Sequence, residues 1–181
     1  MPYVAPSTVV AGQTYSAAAH NVIVNDVIDL DTRVNDLIVP PTVCVRRTTN
    51  LSYTTGVNVT WESTAWDTDG MWSAGSATDV TIQTTGVYQI SIIGRFQATA
   101  TLANIYPYVT VDNVALNYQN IPADSTTSAY FFGSITASLT AAQVVRLKVN
   151  MGGGSNYVLT GNGITSDSQS RMILTWIGRT S

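Results

Sequence analysis

The chain has 181 residues, a formal net charge of −3 and one cysteine, and only 10% of its residues are charged, against about 25% in an ordinary soluble domain. The acidic balance, with a pI near 4.7, argues against a nucleic-acid face, and the lone Cys44 rules out an internal disulfide. Mean hydropathy is +0.14, yet no run approaches the ~18 apolar residues of a membrane span. Thr, Ser and Asn supply the polarity that Lys and Glu usually supply. So few charges predict surface hidden in an oligomer or a larger particle. The opening Met1-Pro2-Tyr3-Val4-Ala5 has no basic start of the signal-peptide kind, so cytoplasmic synthesis is expected.

Residues 1–13 hold Pro2, Pro6 and Gly12 among small residues and show no periodicity. Such an arm gains order only against a partner. Residues 14–38 read as a helix, opened by Thr14 or Ser16 and stopped by Pro40-Pro41. Ile23, Val27, Leu30, Val34 and Leu37 recur at heptad spacing, with Val27 and Val34 at a and the other three at d. Asp29 and Arg33 form an i,i+4 pair. A short parallel coiled coil is favoured over a single helix lying on a neighbouring surface. His20, the one histidine, falls at an a position and is read as a register-setting polar residue.

From Thr42 onward the signals are β. Strands are expected near 43–47, 57–61, 78–83, 86–97, 104–112, 114–119, 127–138, 143–150, 155–160 and 170–178. The central one opens at Gly86. Tyr88, Ile90, Ile92 and Phe96 fall on one face, and Val87, Gln89, Ser91 and Arg95 on the other, with Ile93 an apolar exception. Asp112-Asn113 marks a turn. In 144–149, Val145, Leu147 and Val149 point in while Arg146 and Lys148 point out. Gly152-Gly153-Gly154 reads as a hairpin connection, since no Lys-Ser/Thr follows it as in a phosphate loop. The run Met172–Ile177 is apolar on both faces, so it is either central or covered by a neighbouring subunit. About ten short strands with regular turns argue a mainly β fold, a jelly-roll β-sandwich.

Few residues invite chemistry. Asp67-Thr68-Asp69-Gly70, between Trp66 and Trp72, resembles the start of a calcium loop, but no Glu closes it. Asp67 and Asp69 are thus weak metal candidates, and a tight turn is favoured. His20 and Cys44 lack the company that a zinc site or a triad needs. The acidic residues of the β region show no spacing that points to a hydrolase. Tyr106, Tyr108, Tyr118, Tyr130 and Tyr157 allow a carbohydrate-binding face, but packing in the core and at subunit contacts is favoured. No catalytic activity, cofactor or required metal is expected.

The order Trp61…Trp66-Asp67-Thr68-Asp69-Gly70-Met71-Trp72, a short strand, then Gly86-Val87-Tyr88-Gln89-Ile90 resembles trimeric tailed-bacteriophage virion proteins. These carry a jelly roll of the complement/tumour-necrosis-factor-like type. The closing Met172–Ile177 run resembles that family's C-terminal trimer-core strand, and Gly12–Ala18 followed by Asn21 is similar to its helix opening. The likeness spans about 42–181, and 12–40 more loosely. One departure is Ala142-Gln143, where the family usually has Gly-Asp.

The resemblance implies a homotrimeric structural protein of the virion surface, made in the host cytoplasm. A capsid decoration protein or short head fibre suits the length best. A tail-tip or tail-fibre receptor-binding protein is the alternative, ahead of a carbohydrate-binding module or glycan hydrolase. It also implies two parts. Residues 1–41, arm and helix, would anchor the protein to the major capsid protein or another virion protein through 1–38. Residues 42–181 would form the trimerising jelly roll. The trimer contacts expected are Ile23, Val27, Leu30, Val34 and Leu37 in the helix, with Tyr88, Ile90, Met172, Leu174 and Trp176 in the sheet. A host-surface glycan is a further candidate partner; nucleic acid and membrane insertion are not.

Overall fold

The computed structural model describes residues 17–53, 56–98, 105–118, 129–151, 157–159 and 170–180. The arm expected at 1–13, the helix opening at 14–16 and the glycine run at 152–154 lie outside them. The chain divides into two compact units, Met1–Pro40 and Pro41–Ser181.

In the first unit, helix α1 runs Ala17–Ile38, 22 residues, or about 33 Å. It stops where the two prolines forbid continuation. Its heptad residues Ile23, Val27, Leu30 and Val34 are exposed in the single chain, as are Val22, Val24 and Ile28. The side chains of His20, Arg33 and Leu37 lie outside the described residues.

The second unit is a two-layer sandwich. In chain order its strands are β1 (Thr42–Arg46), β2 (Leu51–Tyr53), β3 (Val57–Asn58), β4 (Ser63–Asp67), β5 (Val80–Thr81), β6 (Gly86–Ala98), β7 (Ile105–Val111), β8 (Val114–Tyr118), β9 (Ala129–Leu139), β10 (Val144–Met151), β11 (Tyr157–Leu159) and β12 (Arg171–Gly178). One sheet has the order β2-β11-β6-β12-β1-β4, with β9 on the free side of β6; the other has the order β3-β10-β7-β8, with β5 also on β10. The described ladders are antiparallel. The short strands β2 and β4 were not among the sequence expectations. Three residues of β2, and the mixed Ser63-Thr64-Ala65-Trp66-Asp67, carry too little alternation to signal a strand.

The β6 alternation lies as its spacing predicts. Tyr88, Ile90, Ile92 and Phe96 point into the sandwich with Met172, Leu174 and Trp176 of β12, opposite Val145, Leu147 and Val149 of β10. Each such aliphatic side chain contributes about 1.5–3 kcal/mol by leaving water. Close approach fixes two glycines. A Cβ on Gly86 would meet the Trp176 indole, and one on Gly94 would meet the Phe131 ring. The bare backbone at Gly94 lets Phe131 lie flat and stack on Phe96, with centroids 5.0 Å apart.

Candidate assembly face

Alternation that fills the core also decides what the larger sheet shows outside. Along β9, Phe131 and Leu139 are buried and Ile135 and Ala137 pack against the core, while Tyr130, Phe132, Ser134, Thr136 and Ser138 are exposed. Phe132 is 81% exposed and Tyr130 66%. Register then aligns β9 with its neighbours. Phe132 pairs with Ile93, Ile93 with Arg171 and Arg171 with Arg46. One row along, Ser134 pairs with Ser91, Ser91 with Ile173, Ile173 with Cys44 and Cys44 with Trp66. The next row is Thr136, Gln89, Thr175 and Thr42. Ile177 is left over at a bulge in β12 and stands 54% exposed.

The face is therefore apolar at its ends and hydroxylic in the middle. Gln89 Nε2 donates to Ser134 Oγ at 3.2 Å, and the Ser91 and Ser134 hydroxyls lie 3.3 Å apart. Trp66, 45% exposed, donates its indole N–H to Thr42 Oγ1 at 3.3 Å. None of the described residues on this face is acidic. Its charges gather at one end. Arg46 and Arg171 stand opposite one another on β1 and β12. Arg95 lies 5.4 Å from the centroid of the Tyr130 ring. Within the second of these rows Cys44 is buried; that burial pushes its thiol pKa up, against the pull of Arg171 and Arg46.

The five sheet residues expected at a trimer contact are a correction. Tyr88, Ile90, Met172 and Leu174 are fully buried and Trp176 nearly so, all within one chain's own core. A run apolar on both faces does not announce which face is inner. Pairing with β6 turns the even-numbered residues of β12 inward and leaves Ile173 and Ile177 outside. The outward Phe132 was missed, because Tyr130-Phe131-Phe132 is apolar at three successive positions, and Tyr130 was weighed only as one of five tyrosines for a glycan face or for packing in the core and at subunit contacts. Their face was nevertheless readable from Ser134, Thr136 and Ser138, which share their parity.

The Asp67 loop is built for itself. Asp67 Oδ1 accepts from the backbone N–H of Met71 at 3.0 Å, and Oδ2 from that of Trp72 at 3.0 Å. The carboxylate thus closes the tight turn that Gly70, at φ 65°, allows. No three His, Cys, Asp or Glu side chains converge on a metal-sized site among the described residues. Of the five tyrosines, Tyr108 is buried, Tyr106 half-buried and Tyr130 exposed; the side chains of Tyr118 and Tyr157 lie outside the described residues.

Among the described residues, two ion pairs brace the sandwich. Arg47, itself buried, donates to Glu62 Oε1 at 2.7 Å and to Thr60 Oγ1 at 2.7 Å. Glu62 Oε2 also accepts the backbone N–H groups of Thr48 and Thr49. Arg146 grips Asp79 with two donors, Nε at 2.6 Å and an NH2 nitrogen at 2.8 Å. That grip holds the Asp79 carboxyl below its usual range.

No family model matches the chain, and no curated protein is similar to it in sequence. Solved structures are similar in fold. The globular domain of zebrafish complement 1qA superposes with a TM-score of 0.56 at 15% identity, over 77% of this chain and 99% of that domain. The Eiger tumour necrosis factor of S. frugiperda gives a TM-score of 0.51 at 12% identity, over 78% of this chain and 96% of that one. The fold is thus a jelly roll of the complement/tumour-necrosis-factor-like class. At such identities the likeness speaks for the fold alone.

Proposed function

We propose that this chain is a homotrimeric structural protein of a tailed-phage particle, displayed on the virion surface as a capsid decoration protein or short head fibre. The observation that carries the trimer is the outer face of the larger sheet. Phe132, Tyr130, Ile177 and Trp66 stand exposed there around an uncharged hydroxyl field. A monomer with so few charges gains nothing from holding such aromatics in water. Domains of this fold often form trimers, and a closed ring satisfies all three copies of a face at once.

The phage setting rests on the sequence resemblance at Trp61–Trp72, Gly86–Ile90 and the β12 run. In this reading residues 42–181 are the outward knob and 1–38 the attachment. The exposed heptad stripe of α1 zips three chains together, and the arm lies in a groove of the particle. Three weak arms on one trimer bind with avidity. Truncation tests this division. A fragment of residues 42–181 is expected to remain trimeric by light scattering and to fail to bind particles lacking the protein, while the full chain rebinds them. Binding by the fragment as tight as by the full chain would place the attachment in the β domain.

A further inference from the structure

We propose that Arg46 and Arg171 form a seat for a small tetrahedral oxyanion, sulfate or phosphate in kind, on the outer face of the larger sheet. The two arginines are direct cross-strand partners, and both are half-buried. Like charges in that relation repel at close range and destabilise a ladder. Nothing acidic among the described residues of the face offsets them. Arg46 directs its Nε to Ser63 Oγ at 3.0 Å. Arg171 Nε is buried and has no hydrogen-bond partner among the described residues. A guanidinium N–H withdrawn from water and left unpaired is costly.

The chain holds only eight Lys and Arg residues, so two of them facing one another half-buried is not the chance crowding of a basic surface. The chemistry that resolves the arrangement is an acceptor with several oxygens and negative charge. The guanidinium fork matches such oxygens two at a time. Neighbouring groups suit an anion of modest size. Ile93 and Phe132 continue the same row and bound it on the apolar side, and the buried Cys44 stands one row along, two residues from Arg46 on β1. The seat does not depend on how many chains meet at this face.

The test is thermal unfolding of the full chain at constant ionic strength, with sulfate replacing chloride in steps, and phosphate as a second series. Wild type is expected to gain roughly 3 °C along a saturating curve. Arg171→Gln is expected to lose that saturating part, and to melt no lower than wild type in chloride, because it removes the repulsion and the unpaired Nε. General exclusion of sulfate from protein surfaces adds only a non-saturating slope common to both. Should Arg171→Gln fail to fold, Arg46→Gln gives the same reading. A saturating gain of equal size in the variant, or none in wild type, overturns the seat. Light scattering on the same samples follows chain number separately, so loss of the trimer and loss of the seat are told apart.

Discussion

The Glu62 carboxylate ties the chain after β1 to the chain before β4. Burial pushes its pKa up, but hydrogen bonds from Thr49 and Thr48 outweigh it and hold the value at about 2, against an ordinary 4.5. A folded value below the unfolded one means stability that is complete above pH 4.5 and is lost as pH falls toward 2. Asp79, lowered by its hydrogen bonds from Arg146, adds to the same acid limb. Glu62→Gln keeps the shape but not the charge that Arg47 and the two threonines require. It is expected to cost about 1 kcal/mol at neutral pH, because solvent reaches the carboxylate and screens it, and to flatten the fall in stability across that window. Urea unfolding of both proteins over a pH series reads this directly; an unchanged acid slope would show that another carboxylate governs it.

At the scale of elements, the strand pattern was legible where alternation was strict. Gly86–Phe96 and Val144–Val149 each declare one apolar and one polar face, and the structure keeps both. The doubly apolar Met172–Ile177 announced a strand either central or covered by a neighbouring subunit; the pairing with β6 and β1 makes it central and fixes which residues face inward. Helix α1 was legible from its heptads and its closing prolines. The Arg46–Arg171 pair was not, since 125 residues of chain separate two positions that only the β1–β12 register joins. Between β9 and β10 the sequence carried a usable anomaly. Ala142 stands where the resembling family has glycine, and it adopts φ 73°. The turn holds it there, with Gln143 N–H donating to the Thr140 carbonyl at 3.2 Å and Ala142 N–H to the Ile82 carbonyl at 2.8 Å. A left-handed alanine costs about 1 kcal/mol that glycine avoids. Ala142→Gly is therefore expected to raise the melting temperature by about 2–4 °C in calorimetry. A fall would show that the backbone there is not strained.

For the whole molecule, the sandwich closes its own core and leaves one large sheet face to be covered. That face joins a hydroxyl field to four exposed aromatic or aliphatic side chains, and its two opposed arginines sit at one margin. The trimer reading, the anion seat and the attachment by residues 1–38 all describe how a chain with so few charges divides its surface among partners. The trimer proposed through this face is read from mass in solution. Multi-angle light scattering on the full chain is expected to give three times the 19.3 kDa of one chain. Phe132→Asp puts a charge on the most exposed aromatic of the face while leaving the core untouched, and is expected to give the single-chain mass with an unchanged β circular-dichroism spectrum. A wild-type mass of one chain, or a folded Phe132→Asp protein that still weighs three, would contradict the account.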